Sequence, residues 1–177
     1  MSKKIDASVW GSSAWHTLHT IGLNTNVTSS NKDDYILFLN NFKNVLPCPR
    51  CRKNFTKKHS NFLINSDTMT TDNYIKWLYN IHNMVNDSTY NSKISYNEHI
   101  KKHKPYDIKK INKFTEILIN QLGKEPSYKE LIDCKTYLKC LLKLHPCQIK
   151  NKTSKLKKLD DIYNSVELKE WYSNIYI

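Results

Sequence analysis

The order of apolar and polar positions along the chain predicts helices almost throughout. From about Ser8 to Leu23, Ala14, Leu18 and Ile21 share one side, while Trp15, His19 and Gly22 form a neighbouring row at helical spacing. The polar stretch from Asn24 to Lys32 reads as a loop. Tyr35, Phe38, Leu39, Phe42, Val45 and Leu46 then follow the rhythm of a buried helical stripe, which Pro47 ends. Pro49 is the residue type favoured at the first position of a new helix. A third helix is therefore expected to run to about His59, with Cys48 at or near its N-cap and Cys51 in its first turn. The cleanest stripe, Tyr74, Trp77, Leu78, Ile81 and Val85, belongs to a fourth helix from Asp72 to about Asp87, and His82 and Asn86 lie four residues apart beside it. Four helices of this length on short loops are enough for a four-helix bundle.

A short fifth helix is expected over Ser95 to Lys102, and a soft boundary near Pro105 divides the chain into 1–104 and 105–177. Beyond it, Ile111, Phe114, Leu118 and Leu122 make one amphipathic face, closed by Gly123 as a helix C-cap. Ser127-Tyr-Lys-Glu130 is a capping-box pattern opening a helix that stops before Pro146. Lys150 to Lys158 reads as a solvated linker, overlapping a last helical stretch from about Leu156 to Trp171. Cys134 shares an apolar face with Leu131, Leu138 and Leu141, so burial is expected; Cys140 points to the opposite side, and Cys147 follows Pro146. The fold class is thus all-α: a bundle, a short fifth helix and a helical C-terminal extension.

Composition narrows the picture. Only 3 Gly and 5 Pro occur in 177 residues, which argues against a turn-rich β-sandwich or barrel. A net charge of +12 would suit nucleic acid or anionic membranes. The lysines are spread from Lys3 to Lys169 without any recognisable nucleic-acid module, so a solvated surface is the better reading. Neither a signal-peptide-like run nor a stretch of ~18 apolar residues is visible, and a soluble chain is expected.

Without a signal peptide, Cys48-Pro49-Arg50-Cys51 reads as redox-active or metal-binding rather than as a structural staple. Zinc needs two more ligands at sensible spacing, and no second Cys-x-x-Cys follows. The redox reading has a mechanism: a helix N-terminus, with Arg50, Arg52 and Lys53 nearby, stabilises a thiolate, and thiolates drive disulfide exchange. A thioredoxin-type site would need a βαβ pattern, which the helical period of Tyr35 to Leu46 contradicts.

Three segments carry a resemblance. They are Trp10-Gly11-Ser-Ser-Ala-Trp15-His-Thr-Leu18-His19, Leu46-Pro47-Cys48-Pro49-Arg50-Cys51, and Trp77-Leu78-Tyr-Asn-Ile81-His82-Asn83-Met-Val85-Asn86. In this order and spacing they resemble the Erv/ALR family of FAD-linked sulfhydryl oxidases, over about Val9 to His103. The resemblance implies a helical bundle holding FAD, usually a homodimer, that passes electrons from dithiols to oxygen and gives hydrogen peroxide. It implies that Trp15, His19, His82, Asn83 and Asn86 contact FAD, with Trp10 and Gly11 at the start of that site. Cys51 would lie beside the flavin, and Cys48 would exchange with incoming dithiols of a protein substrate or thiol carrier protein.

Asp87 to Tyr96 departs from the cellular pattern, having no Gly, Pro or Cys. It looks more like the short members carried by large DNA viruses, which makes Lys93 and Tyr96 candidates to close over the FAD. It also implies disulfide formation in viral proteins, in the host cytoplasm or the virion. Cys140 and Cys147 could form a relay pair of the kind family members carry, but incidental thiols on a docking or dimerisation appendage are the preferred reading. The rival to the oxidase is a non-enzymatic helical module binding zinc or nucleic acid. No metal ligand is assigned, and neither a membrane nor nucleic acid is an expected partner.

Overall fold

A computed structural model of the chain describes residues 5–60, 64–89, 91–147 and 149–175. Among these residues the regular structure is entirely helical. The elements are α1 (Ala7–Asn24), α2 (Lys32–Val45), α3 (Pro49–His59), α4 (Thr71–Ser88), α5 (Tyr96–His103), α6 (Ile108–Gln121), α7 (Tyr128–Leu144), α8 (Lys152–Asp160) and α9 (Ser165–Ser173).

Most helices begin where a side chain satisfies their free N–H groups. Asp6 accepts from the Ser8 N–H, Thr70 from Asn73 and Asn164 from Val166 and Glu167. Ser95 with Glu98, and Ser127 with Glu130, form reciprocal capping boxes for α5 and α7. α6 is C-capped at Leu122, and Gly123 just beyond it takes the left-handed backbone (φ 67°) that favours glycine.

α1 packs against α4, α5 and α6, while α2 lies along α7 and against α3. Gly22 allows the approach of α4. A Cβ on it would sit 2.5 Å from a Tyr74 ring atom and 2.9 Å from Leu78, both of them fully buried. One hydrophobic core then runs through both halves of the chain. The Phe42 ring lies 5.5 Å from Phe114 and 5.9 Å from Phe55, and Phe38 stacks on Tyr137 at 5.9 Å.

Three expectations for the C-terminal region need correction. Cys140 does not point away from the core: it is buried, as are Leu131, Cys134, Tyr137, Leu138 and Leu141, because α7 is covered on two faces. Lys150–Lys158 is not a linker, since α8 occupies most of it. Lysines and leucines are good helix formers, Leu159 is buried, and the Lys135 ammonium donates to the Asp160 and Ile162 carbonyls at the helix's C-terminal end. The final helical stretch is broken, because Asn164 caps a new helix and Glu167 accepts from the Tyr163 N–H at 2.9 Å.

Among the described residues no helix is long and apolar enough to cross a membrane.

Candidate active site

Pro47 and Pro49 bracket the turn between α2 and α3, and Cys48 becomes the N-cap of α3. Its sulfur accepts a hydrogen bond from the Cys51 N–H at 3.2 Å. Cys48 and Cys51 are joined as a disulfide, with Cα atoms 5.0 Å apart. The short reach between N-cap and first turn makes the bridge local, and the free N–H groups there favour negative charge on sulfur when the bridge is reduced. The Arg52 Nε donates to the Leu46 carbonyl at 2.6 Å, tying helix to turn. The two sulfurs differ in surroundings. Cys48 is buried (4% exposed), and the Gln121 amide of α6 reaches the preceding Pro47 carbonyl at 3.4 Å. Cys51 is half-buried and opens on a cavity.

That cavity, of about 170 Å³, is walled by Trp10, Gly11, Trp15 and Leu18 of α1, Phe55 of α3 and Val85 of α4, among others. Val85 serves this wall rather than the core that Tyr74, Trp77, Leu78 and Ile81 enter. Gly11 leaves it room, for a Cβ there would meet nothing within 4 Å. A flat, largely apolar group could therefore lie against Cys51 with an aromatic floor.

Behind Trp15 the character changes from apolar to imidazole. The His82 ring stacks on Trp15 at 4.1 Å and 6°, and His19 Nε2 meets His82 Nδ1 at 2.9 Å. His82 of α4 thus faces the Trp15–His19 row of α1, where Gly22 lets the helices approach, while Asn86 turns to the loop beyond. Two further histidines from α5 join them: His103 lies 4.0 Å and His99 4.5 Å from His19, ring centre to ring centre. One nitrogen from each of the four falls within 4.8 Å of the others. Burial, followed by repulsion from its neighbours, holds His19 well below the usual histidine range; the same two causes bring His82 to about 3. Burial lowers His99 and His103 to about 4. The rings are neutral near pH 7, yet His19 Nδ1, both nitrogens of His99 and His103 Nε2 are buried with no hydrogen-bond partner. Buried polar atoms are ordinarily satisfied, so this cluster fits a polar ligand.

Asn83 accepts from the Ile94 N–H at 3.2 Å and donates to its carbonyl at 3.0 Å, and Asn86 donates to the Ser92 carbonyl at 3.3 Å. Here both asparagines hold the segment that delivers α5. Lys93 is exposed and paired with Asp87 at 3.1 Å; Tyr96 packs edge-on to Tyr79 at 5.3 Å, and Tyr79 in turn touches His99. His99 and His103 escaped the sequence reading; their four-residue spacing puts both on one face of α5 but does not say what that face meets.

Comparison with known proteins bears on the same stretch. The profile of the Erv1/Alr family matches residues 12–105, more than half of the chain. The chain belongs to the Erv1/Alr family. Over 94 residues it is 32% identical to a probable FAD-linked sulfhydryl oxidase of Acanthamoeba polyphaga mimivirus, covering 51% of this chain and 66% of that relative's length, just under two thirds. No solved structure matches significantly. Erv1/Alr membership implies an FAD cofactor and oxidoreductase chemistry of thiols. The residues present fit that cofactor: an apolar slot beside the Cys48–Cys51 disulfide, continuous through Trp15 with a buried cluster of unpartnered nitrogens. Family and geometry together favour this over the non-enzymatic rival.

Proposed function

We propose that this Erv1/Alr chain is an FAD-dependent thiol oxidase that makes disulfides in protein dithiols and reduces oxygen to hydrogen peroxide. The observation that carries the reading is the Cys48–Cys51 disulfide at the N-terminus of α3, with Cys51 lining the aromatic slot that Trp15 and Phe55 also line.

A substrate thiolate attacks Cys48 Sγ, breaking the Cys48–Cys51 bond, forming a mixed disulfide and releasing Cys51 as a thiolate. A second substrate thiolate attacks the substrate sulfur of that mixed disulfide, and Cys48 leaves with the bonding pair. Its departure is favoured by the Cys51 N–H and the positive end of α3. The reduced pair now holds two electrons, and the two protons come from the substrate thiols. When bound, FAD supplies the two-electron acceptor for this dithiol and the route to oxygen. Cys51 lines the slot, Trp10 and Trp15 give it aromatic surface, His19 and His82 lie behind Trp15, and Asn83 and Asn86 hold the loop that brings α5 to them. Lys93 lies in that loop and Tyr96 opens α5. Because Cys48 is covered, substrate attack requires the Pro47–Cys48 turn to be uncovered.

The partners in this reading are dithiol proteins or a thiol carrier, with oxygen as the final acceptor. A homodimer is the assembly the family resemblance supports. Likeness to the mimivirus protein supports a role in forming disulfides of viral proteins.

The test is an absorption spectrum of the purified chain followed by dithiothreitol with peroxide detection. A flavin band near ~450 nm and thiol-dependent peroxide are expected. Cys51→Ser should retain FAD and lose turnover by at least ~10³-fold, the scale of removing a catalytic group that the reaction cannot bypass. Undiminished turnover in that variant would refute the assignment of the pair.

A further inference from the structure

We propose that His99 and His103 bind the sugar–diphosphate part of FAD through the ring nitrogens that α5 brings to His19 and His82. The inference rests on the oxidase reading above and adds a fifth-helix contribution from two residues outside the three segments of family resemblance.

Electron transfer from the dithiol requires the flavin ring to lie beside Cys51, in the apolar slot. Trp15 lines that slot and also stacks on His82, so it stands between the slot and the histidine cluster. Whatever continues from a ring in the slot past Trp15 meets imidazoles, and in FAD the ring is followed by polar sugar and diphosphate. His99 is 1% exposed, and neither of its ring nitrogens has a partner; His103 Nε2 is likewise buried and unpartnered. A hydroxyl and phosphate chain supplies both acceptors and donors for such atoms.

Four histidines with nitrogens this close are also the donor set of a divalent metal. The surrounding charge decides between the two. Lys102 acts on His82, His99 and His103, and Lys110 acts on His103, each opposing a further positive charge there. Asp107, the nearby carboxylate, acts instead on His16, which accepts from the Asp107 N–H at 3.0 Å. A metal dication would add to this positive surround, whereas a diphosphate offsets it.

The test uses the full-length chain stripped of FAD, with His99→Leu, His103→Leu and His99→Gln. FAD affinity is read from flavin fluorescence, the stability of the stripped proteins from thermal melts, and metal binding from Zn²⁺ titration. Each Leu variant should bind FAD about 10-fold more weakly or worse, the scale of a lost hydrogen bond to a charged group. The stripped Leu variants should melt at the same temperature or higher, because they remove buried polar atoms that had no partner. His99→Gln, which keeps a donor and an acceptor, should recover part of the affinity. Equal FAD affinity in wild type and Leu variants would overturn the proposal. So would a fall in stripped-protein melting temperature with FAD affinity unchanged, which would make these histidines structural. Stoichiometric Zn²⁺ binding that the Leu variants lose while FAD binding persists would assign the cluster to a metal. A wild-type chain that cannot be loaded with FAD at all would instead refute the oxidase reading on which this one stands.

Discussion

Each imidazole of the cluster is costly to ionise where it sits, and this links the site to stability. His82, His99 and His103 fall from an ordinary value of 6.5 to about 3, 4 and 4, with burial the first cause and positive neighbours the second. Burial holds His19 well below the ordinary value too. In the unfolded chain these rings take up protons as pH drops through about 6.5, while in the folded chain they stay neutral until about 4. The unfolded state therefore binds more protons in that window, and the sign follows: stability is full above pH 6.5 and is lost progressively toward pH 4. For the FAD-free protein, thermal melts across this range should show a falling melting temperature, with more than one proton taken up on unfolding. A flat profile would mean that the rings are already protonated in the folded protein, and the cluster would lose its neutral character. Comparing His99→Leu with wild type assigns the slope, since the variant should flatten it.

At the level of helices, the site exists because α1 and α4 approach closely at one point. Gly22 lies on the same row of α1 as Trp15 and His19, and a Cβ there would press on the buried Tyr74 ring and Leu78. Gly22→Ala gains up to about 1 kcal/mol of helix propensity but forces α4 outward, at about 1–3 kcal/mol for an overpacked core. A net loss of stability in urea unfolding is expected, together with weaker FAD binding as His82 moves from His19. A variant as stable as wild type would show slack between the helices. Much of this frame was legible beforehand. The stripes of α1 to α4, the N-cap position of Cys48 and the Ser127–Glu130 capping box rest on local patterns that tertiary packing left intact. What was missed depended on contacts distant in sequence. α7 is buried on two faces, so one amphipathic stripe could not describe it and Cys140 was misplaced. α8 gains its footing from Lys135 and Leu159, which a lysine-rich composition hides. His99 and His103 acquire meaning only when α5 folds back on α1. Nothing local in the sequence states that.

For the molecule as a whole, the region after Pro105 shares the core with the helices that carry the site. Phe114 of α6 lies 6.3 Å from Trp10 and 5.5 Å from Phe42, and Tyr137 of α7 stacks on Phe38. Trp10, Phe38 and Phe42 are all buried, and two of them, Trp10 and Phe42, also line the slot beside Cys51. Cutting the chain after Lys104 would strip cover from these aromatic side chains, each worth about 1.5–3 kcal/mol when fully buried. That sum is a large part of the 5–15 kcal/mol that typically holds a domain folded. The 1–104 fragment should therefore lack a cooperative unfolding transition, expose surface that binds hydrophobic dyes, and fail to retain FAD, whereas the full chain does none of these. Circular dichroism melts of the fragment and the full chain, with dye binding and flavin absorbance, make the comparison. A fragment that unfolds cooperatively and keeps its flavin would show that α1 to α5 form a finished bundle and that α6 to α9 only rest upon it. Failure of the fragment would instead make the extension the support of the slot's wall, because the side chains that shape the space beside Cys51 are held in place from behind by Phe114 and Tyr137.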